Sequence, residues 1–132
     1  MNVALFGFMG VGKSAVGKML AEKLGLSFVD LDEEIVSRTG RSIESIFQED
    51  GEERFRELER AVTKEYSALD GQVIACGGGT VIDPENLENL RRSSRMVLLT
   101  AEAEVILERV EAEGGVRPVS YTHLTLPTIL LV

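Results

Sequence analysis

The sequence predicts an α/β fold in three layers, a parallel β-sheet with helices on both faces. Three observations predict it. Four short apolar runs with strand character alternate with helical patterns across residues 2–99. Each crossover holds a helix and is long enough for parallel pairing. The first run leads straight into GFMGVGKS, Gly7 to Ser14, and then into a helical pattern. Strand, glycine-rich turn and helix in that order match the phosphate-binding loop G-x-x-x-x-G-K-[ST]. At 132 residues one domain is expected, and about two-thirds of the unfolded chain's surface can be buried.

The first strand is Asn2–Phe6. In the helix over Ala15–Leu24, Val16, Met19, Leu20 and Leu24 form one stripe, and Gly25 suits the left-handed residue that ends a helix. Ser27–Leu31 is the second strand. It delivers Asp30 and Asp32 at its C-terminal end, and their two-residue spacing turns both carboxylates the same way. A short helix over Glu33–Arg38 stops near Gly40. Ser42 caps a segment over Ile43–Gln48, with Ile43, Ile46 and Phe47 as apolar contacts, and Gly51 breaks it. Glu52 to about Leu69 is strongly helical. Phe55, Leu58, Val62, Tyr66 and Leu69 share one face, with Arg56 and Glu59 three apart on a neighbouring one. Gln72–Cys76 is the third strand and ends in Gly77-Gly78-Gly79. Asp83-Pro84 starts a helix to about Arg92, with Asp as cap and Pro in the first helical position. Arg95–Leu99 is the fourth strand. Thr100 caps a helix from Ala101 to about Glu111, with Val105, Ile106 and Val110 inward.

Net charge is −8, without a polybasic run. That speaks against nucleic acid or an anionic membrane as partner, and against a nucleic-acid-linked ATPase. No apolar run is long enough to span a bilayer, and the first strand leaves no room for a signal peptide. The one cysteine, Cys76, reads as a small buried hydrophobe and fits a cytoplasmic chain. A monomer is expected.

Ligands of parallel sheets bind beyond the carboxyl ends of the strands. That rule gathers the loop at 7–14, the Asp30/Asp32 pair and Gly77–Gly79. Backbone N–H groups along the loop and helix start, over Gly10, Val11, Gly12, Lys13, Ser14 and Ala15, can cradle phosphate oxygens. Lys13 can reach the β- and γ-phosphates, and the Ser14 hydroxyl can ligate Mg²⁺. Asp30 can hold Mg²⁺ opposite Ser14, through water. Asp32 can accept a hydrogen bond from a substrate hydroxyl, or its proton. The competing reading of the two carboxylates is a helix cap plus a solvated charge. Three consecutive glycines let a ligand approach the backbone closely. Arg56, on residue pattern alone, is a surface ion pair with Glu52 or Glu59. Arg117 lies in a Gly-Gly-Val-Arg-Pro loop, where an arginine can stabilise transition-state charge. His123 is given no role.

GFMGVGKS, DLD at 30–32, GRSIESIF at 40–47, FRELE at 55–59, CGGG at 76–79 and RP at 117–118 occur in an order and spacing that resemble the shikimate kinase family. The resemblance covers Met1 to Pro118. It implies a P-loop NTPase domain of the nucleoside-monophosphate-kinase type with core strand order 2-3-1-4-5, and transfer of the ATP γ-phosphate to the 3-hydroxyl of shikimate on the route to aromatic amino acids. It implies Lys13 on the phosphates, Ser14 and Asp30 at magnesium, and Asp32 at the shikimate hydroxyls. Arg56 would then pair with the shikimate carboxylate, and the Gly77–Gly79 turn, through Gly78 and Gly79, would touch shikimate by its backbone. Arg109 would stack near adenine and Arg117 would be the lid arginine on the phosphates. ATP and Mg²⁺ are the implied cofactors, and a gluconate-type kinase is the near rival.

Residues 1–117 are thus expected to form the kinase domain, and 118–132 to be foreign to it. All 14 Lys and Arg and all 22 Asp and Glu precede Pro118, while two of the three prolines and the single histidine follow Arg117. The family's second carboxylate-binding arginine, a further helix, its fifth strand, its base loop and its closing helix are not recognisable after Pro118. A sheet of order 2-3-1-4 with one uncovered side is expected, and a nucleotide-binding fragment without catalysis is the alternative from another class. An apolar last strand over Leu124–Val132 is the other reading of the tail, with Pro127 against a central position.

Overall fold

The computed structural model describes residues 1–7, 13–99 and 129–131. The strands are β1 (Asn2–Gly7), β2 (Ser27–Asp30), β3 (Gln72–Ala75), β4 (Ser94–Leu99) and β5 (Ile129–Leu131). The helices are α1 (Lys13–Leu24), α2 (Leu31–Thr39), α3 (Ile43–Asp50), α4 (Glu52–Ser67) and α5 (Pro84–Ser93), with a one-turn 3-10 helix at Thr80–Ile82. The sheet order is β2-β3-β1-β4-β5. The first four strands pair in parallel, and β5 lies antiparallel on β4, with Leu98 opposite Leu130. The expected order 2-3-1-4 therefore stands, but the side of β4 expected to lie open carries a strand. That strand is the last of the sheet order, and Pro127 lies outside the described residues.

Period-two alternation sorts the strand residues into two cores. Ala4, Ile74 and Met96 pack under α2–α5 with Leu31, Ile35, Ile46, Phe55, Val62 and Leu90. Leu5, Val73, Val97 and Leu99 face α1 with Val16 and Ala21. The three layers follow from this division. At the bottom of the sheet the buried Asn2 joins two elements. Its Nδ2 donates to the Leu69 carbonyl at 2.8 Å and its Oδ1 accepts from Gln72 N at 2.9 Å.

Several boundaries differ from the sequence reading. Helix α1 begins at Lys13 rather than Ala15, so Lys13 and Ser14 belong to its first turn. Leu24 is exposed at its end, off the apolar stripe. Helix α4 ends at Ser67, which leaves Leu69 beyond it and exposed. Strand β2 ends at Asp30 and α2 starts at once, so Asp32 is a helical residue, not a strand residue. The cause is capping: the Asp30 side chain accepts from Glu33 N and closes the first turn two residues earlier than expected. The Thr100 cap and the Ala101–Glu111 helix lie outside the described residues. So do Gly10, Val11, Gly12, Arg109, Arg117 and His123.

Candidate active site at the strand ends

Three stretches meet beyond the C-terminal ends of β1, β2 and β3. Lys13, Ser14 and Ala15 open α1. The Lys13 ammonium donates to the Gly7 carbonyl at 3.2 Å, which lays it back over the start of the loop. Ser14 Oγ donates to Asp30 Oδ2 at 2.5 Å. Asp30 Oδ1 accepts from Glu33 N at 3.1 Å. The two readings of Asp30 are therefore compatible: one oxygen caps α2 and the other faces the phosphate loop. Across the described residues there is no cluster of three His, Cys, Asp or Glu side chains able to enclose a metal. One hydroxyl and one carboxylate instead suit Mg²⁺, which keeps several waters and takes further oxygens from phosphates.

Asp32, in the first turn of α2, is half-buried, and its carboxyl is held above the usual carboxylate range. Burial is the largest cause, followed by the negative charges of Asp30 and Glu59; Lys13 and Arg56 oppose them. The group lies against the backbone of Gly77, where an added Cβ would meet Asp32 Oδ1 at 2.5 Å. Cys76, next to that turn, is fully enclosed, and burial pushes its thiol up to about 12. A thiol that stays protonated is packing, not a nucleophile.

Arg56 projects from α4 over the Phe55 ring, with Cζ 5.2 Å from the ring centroid. Its Nη1 donates to both oxygens of Glu59, at 3.0 and 3.1 Å, and its Nε lies 3.7 Å from Glu52. Both partners named from sequence are thus present, but the pair with Glu59 is not a surface one. Glu59 is 1% exposed and also accepts from Thr80 Oγ1 at 3.1 Å. Nη2 has no partner among the described residues. Glu59 is the site residue that sequence reasoning missed. The signal was available, since Glu59 lies four residues after Phe55 and three before Val62, on the buried face of α4.

Between these groups lies a cavity of about 500 Å³. Ile43, Phe47 and Phe55 form an apolar wall, Asp32, Arg56 and Glu59 a polar one, and Gly7, Gly78 and Gly79 complete the lining. Phe47 and Phe55 pack with ring centroids 4.7 Å apart. The cavity suits a small ring compound that carries an anionic group and hydroxyls. Gly79 is pressed against Arg56: a Cβ there would stand 2.6 Å from Nη1. Gly79→Ala is therefore expected to displace the guanidinium and weaken binding of an anionic small molecule by about tenfold, while nucleotide affinity stays within about twofold, by calorimetry.

Three kinds of comparison bear on this arrangement. The family model described as shikimate kinase matches residues 9–124. A shikimate kinase of Geobacter sulfurreducens is 52% identical over 112 residues, covering 85% of this chain and 62% of that protein. A bifunctional shikimate kinase/3-dehydroquinate synthase of Thermotoga maritima is 50% identical over 114 residues, covering 86% of this chain and 23% of that protein. Among solved structures, shikimate kinase from Aquifex aeolicus superposes with a TM-score of 0.73 at 41% identity, covering 82% of this chain and 64% of that one. Shikimate kinase from Acinetobacter baumannii in complex with shikimate gives 0.74 at 33% identity, covering 94% and 73%. The chain spans about three-fifths of the length of the Geobacter relative. Motifs, sheet order, family model and relatives agree, and the chain belongs to the shikimate kinase family.

Proposed function

We propose that the chain is an ATP-dependent kinase that transfers the γ-phosphoryl group to the 3-hydroxyl of shikimate. One observation carries the reading: a half-buried carboxylate, Asp32, and a guanidinium, Arg56, with one edge unpartnered among the described residues, line one cavity of about 500 Å³ beside the start of the phosphate loop. A hydroxylated carboxylic acid is complementary to both. Arg56 Nη2 can pair with the acid's carboxylate. Asp32 can then accept the hydrogen bond of the attacking hydroxyl and orient its oxygen towards the phosphorus. As the new P–O bond forms, the bond to the β-phosphate oxygen breaks, ADP leaves and the hydroxyl proton passes to Asp32 or to water. A carboxyl held above its usual range is a better proton acceptor than an ordinary aspartate.

Phosphoryl transfer needs positioning and charge neutralisation above all. Lys13, with the loop amides of Gly10, Val11, Gly12, Ser14 and Ala15, would hold the ATP phosphates. Ser14 and Asp30 would hold Mg²⁺, which when bound supplies positive charge against those phosphates. Gly77, Gly78 and Gly79 would bring backbone close to the acid substrate. Arg109 near the adenine and Arg117 on the phosphates belong to the same reading. It also takes residues 1–117 as the kinase domain and 118–132 as foreign to it. It takes the protein to work as a cytoplasmic monomer, without nucleic-acid or membrane partners. The net charge of −8 supports the last point. Among the described residues no helix is long and apolar enough to cross a membrane.

Arg56→Ala tests the acid-binding half. The KM for shikimate is expected to rise by about 10–100-fold, the size of a lost charge-assisted hydrogen bond, with the KM for ATP little changed. Unchanged shikimate affinity would remove Arg56 from the reading.

A further inference from the structure

Arg56 does not hold its own direction. Both of its hydrogen bonds to Glu59 use the single nitrogen Nη1, so the direction of the guanidinium over the Phe55 ring depends on how Glu59 is held. What stops Glu59 from turning is the Thr80 hydroxyl, 3.1 Å from Oε2. Thr80 is fixed in turn: Asn86 Nδ2 donates to its carbonyl at 3.1 Å. Asn86 N donates to Asp83 Oδ1 at 3.3 Å, and Asp83 Oδ2 accepts from Arg60 Nη1 at 3.0 Å. Arg60 is the residue after Glu59 on α4. The contacts therefore close a ring from Glu59 through Thr80, Asn86 and Asp83 to Arg60. Glu59, Thr80 and Asn86 are each no more than 1% exposed. The same 3-10 turn carries the glycines, since Thr80 N donates to the Gly77 carbonyl and Ile82 N to the Gly79 carbonyl.

We infer that Thr80 and Asn86 are positioning residues for acid-substrate recognition, holding Glu59 so that Arg56 presents its Nη2 edge to the cavity. The ring makes the glycine turn and the Arg56 direction one unit, because Thr80 belongs to both. Buried hydrogen-bonded networks of this kind hold one arrangement when every link is made and loosen together when one is lost. The substrate-binding half of the inference rests on the function proposed above; the geometric half does not.

The test uses the full chain and the pair Thr80→Val and Thr80→Ser. Valine keeps the volume and removes the donor; serine keeps the donor. The first readout, without any ligand, is the nitrogen NMR signature of the Arg56 guanidinium, whose Nη groups resolve separately only when rotation is restrained. In the wild-type chain and Thr80→Ser they are expected to resolve, and in Thr80→Val to merge. The second readout is kinetic. Thr80→Val should raise the KM for shikimate by about tenfold with the KM for ATP within about twofold, and Thr80→Ser should restore it. Asn86→Ala should act in the same direction; if it fails to fold, the Thr80 pair alone decides. Unrestrained Arg56 signals in the wild type, or Thr80→Val matching wild type in both readouts, overturn the inference. Restrained signals that Thr80→Val releases, in a chain indifferent to shikimate, uphold the positioning and count against shikimate as the substrate.

Discussion

Lys13→Ala is expected to lower ATP-dependent turnover by about a thousandfold or more, into the background of the assay. A preorganised donor aimed at developing charge is worth about 10²–10³ in rate when removed singly. Lys13 adds a full positive charge to that role. Its ammonium already lies at the C-terminal end of β1, on the Gly7 carbonyl at 3.2 Å. Fold stability should change little, because the side chain is only half-buried. Circular dichroism and a thermal melt alongside the assay separate the two effects. Turnover near the wild-type level would remove the phosphate loop from the mechanism.

Asp32→Asn is expected to lower kcat by about 10²–10⁴-fold, the range for a lost general base, with ATP affinity nearly unchanged. The same substitution should make the protein more stable at neutral pH. The fold holds the Asp32 carboxyl above its usual range, through burial and through the charges of Asp30 and Glu59. Folding therefore disfavours the ionised form, and the penalty is present at pH values above the raised pKa. It shrinks as pH falls through that value and is gone below the unfolded value, where the group is protonated in both states. The advantage of Asn over Asp in urea unfolding should accordingly be largest near pH 7 and vanish in acid. A variant equally active at pH 7, or less stable there, would contradict the placement of Asp32 as a strained functional carboxylate.

The fold was legible because its signals are local and repeated. Four apolar runs, each followed by a helical pattern and punctuated by Gly25, Gly40, Gly51 and Gly77–Gly79, leave little freedom in topology. Errors fell where a side chain competed with the pattern. Asp30 capped α2 and drew Asp32 out of the strand, so the two carboxylates converge through a helix turn and not through strand alternation. Glu59 was hidden for a related reason. A carboxylate on an amphipathic helix reads as solvated despite its spacing from Phe55 and Val62, and the fold adds the buried Thr80 hydroxyl to the Arg56 contact. The ring from Glu59 to Arg60 ties α4 to the start of α5 through contacts 21 and 23 residues apart in the chain, and spacing along one element cannot reveal it. Arg56 shows how the two sources of inference combine. Residue pattern gave its ion-pair partners correctly, while the resemblance gave it a substrate; the structure leaves room for both, since Nη1 serves Glu59 and Nη2 faces no described partner.

The most direct test of the central claim is ADP release by the 132-residue chain with Mg-ATP, with shikimate or gluconate as acceptor, once a melt has shown that it is folded. Release that depends on shikimate, and not on gluconate, is the expected result. A folded chain that binds ADP but releases none with shikimate would contradict the proposed activity of this chain, and faster release with gluconate would contradict its substrate.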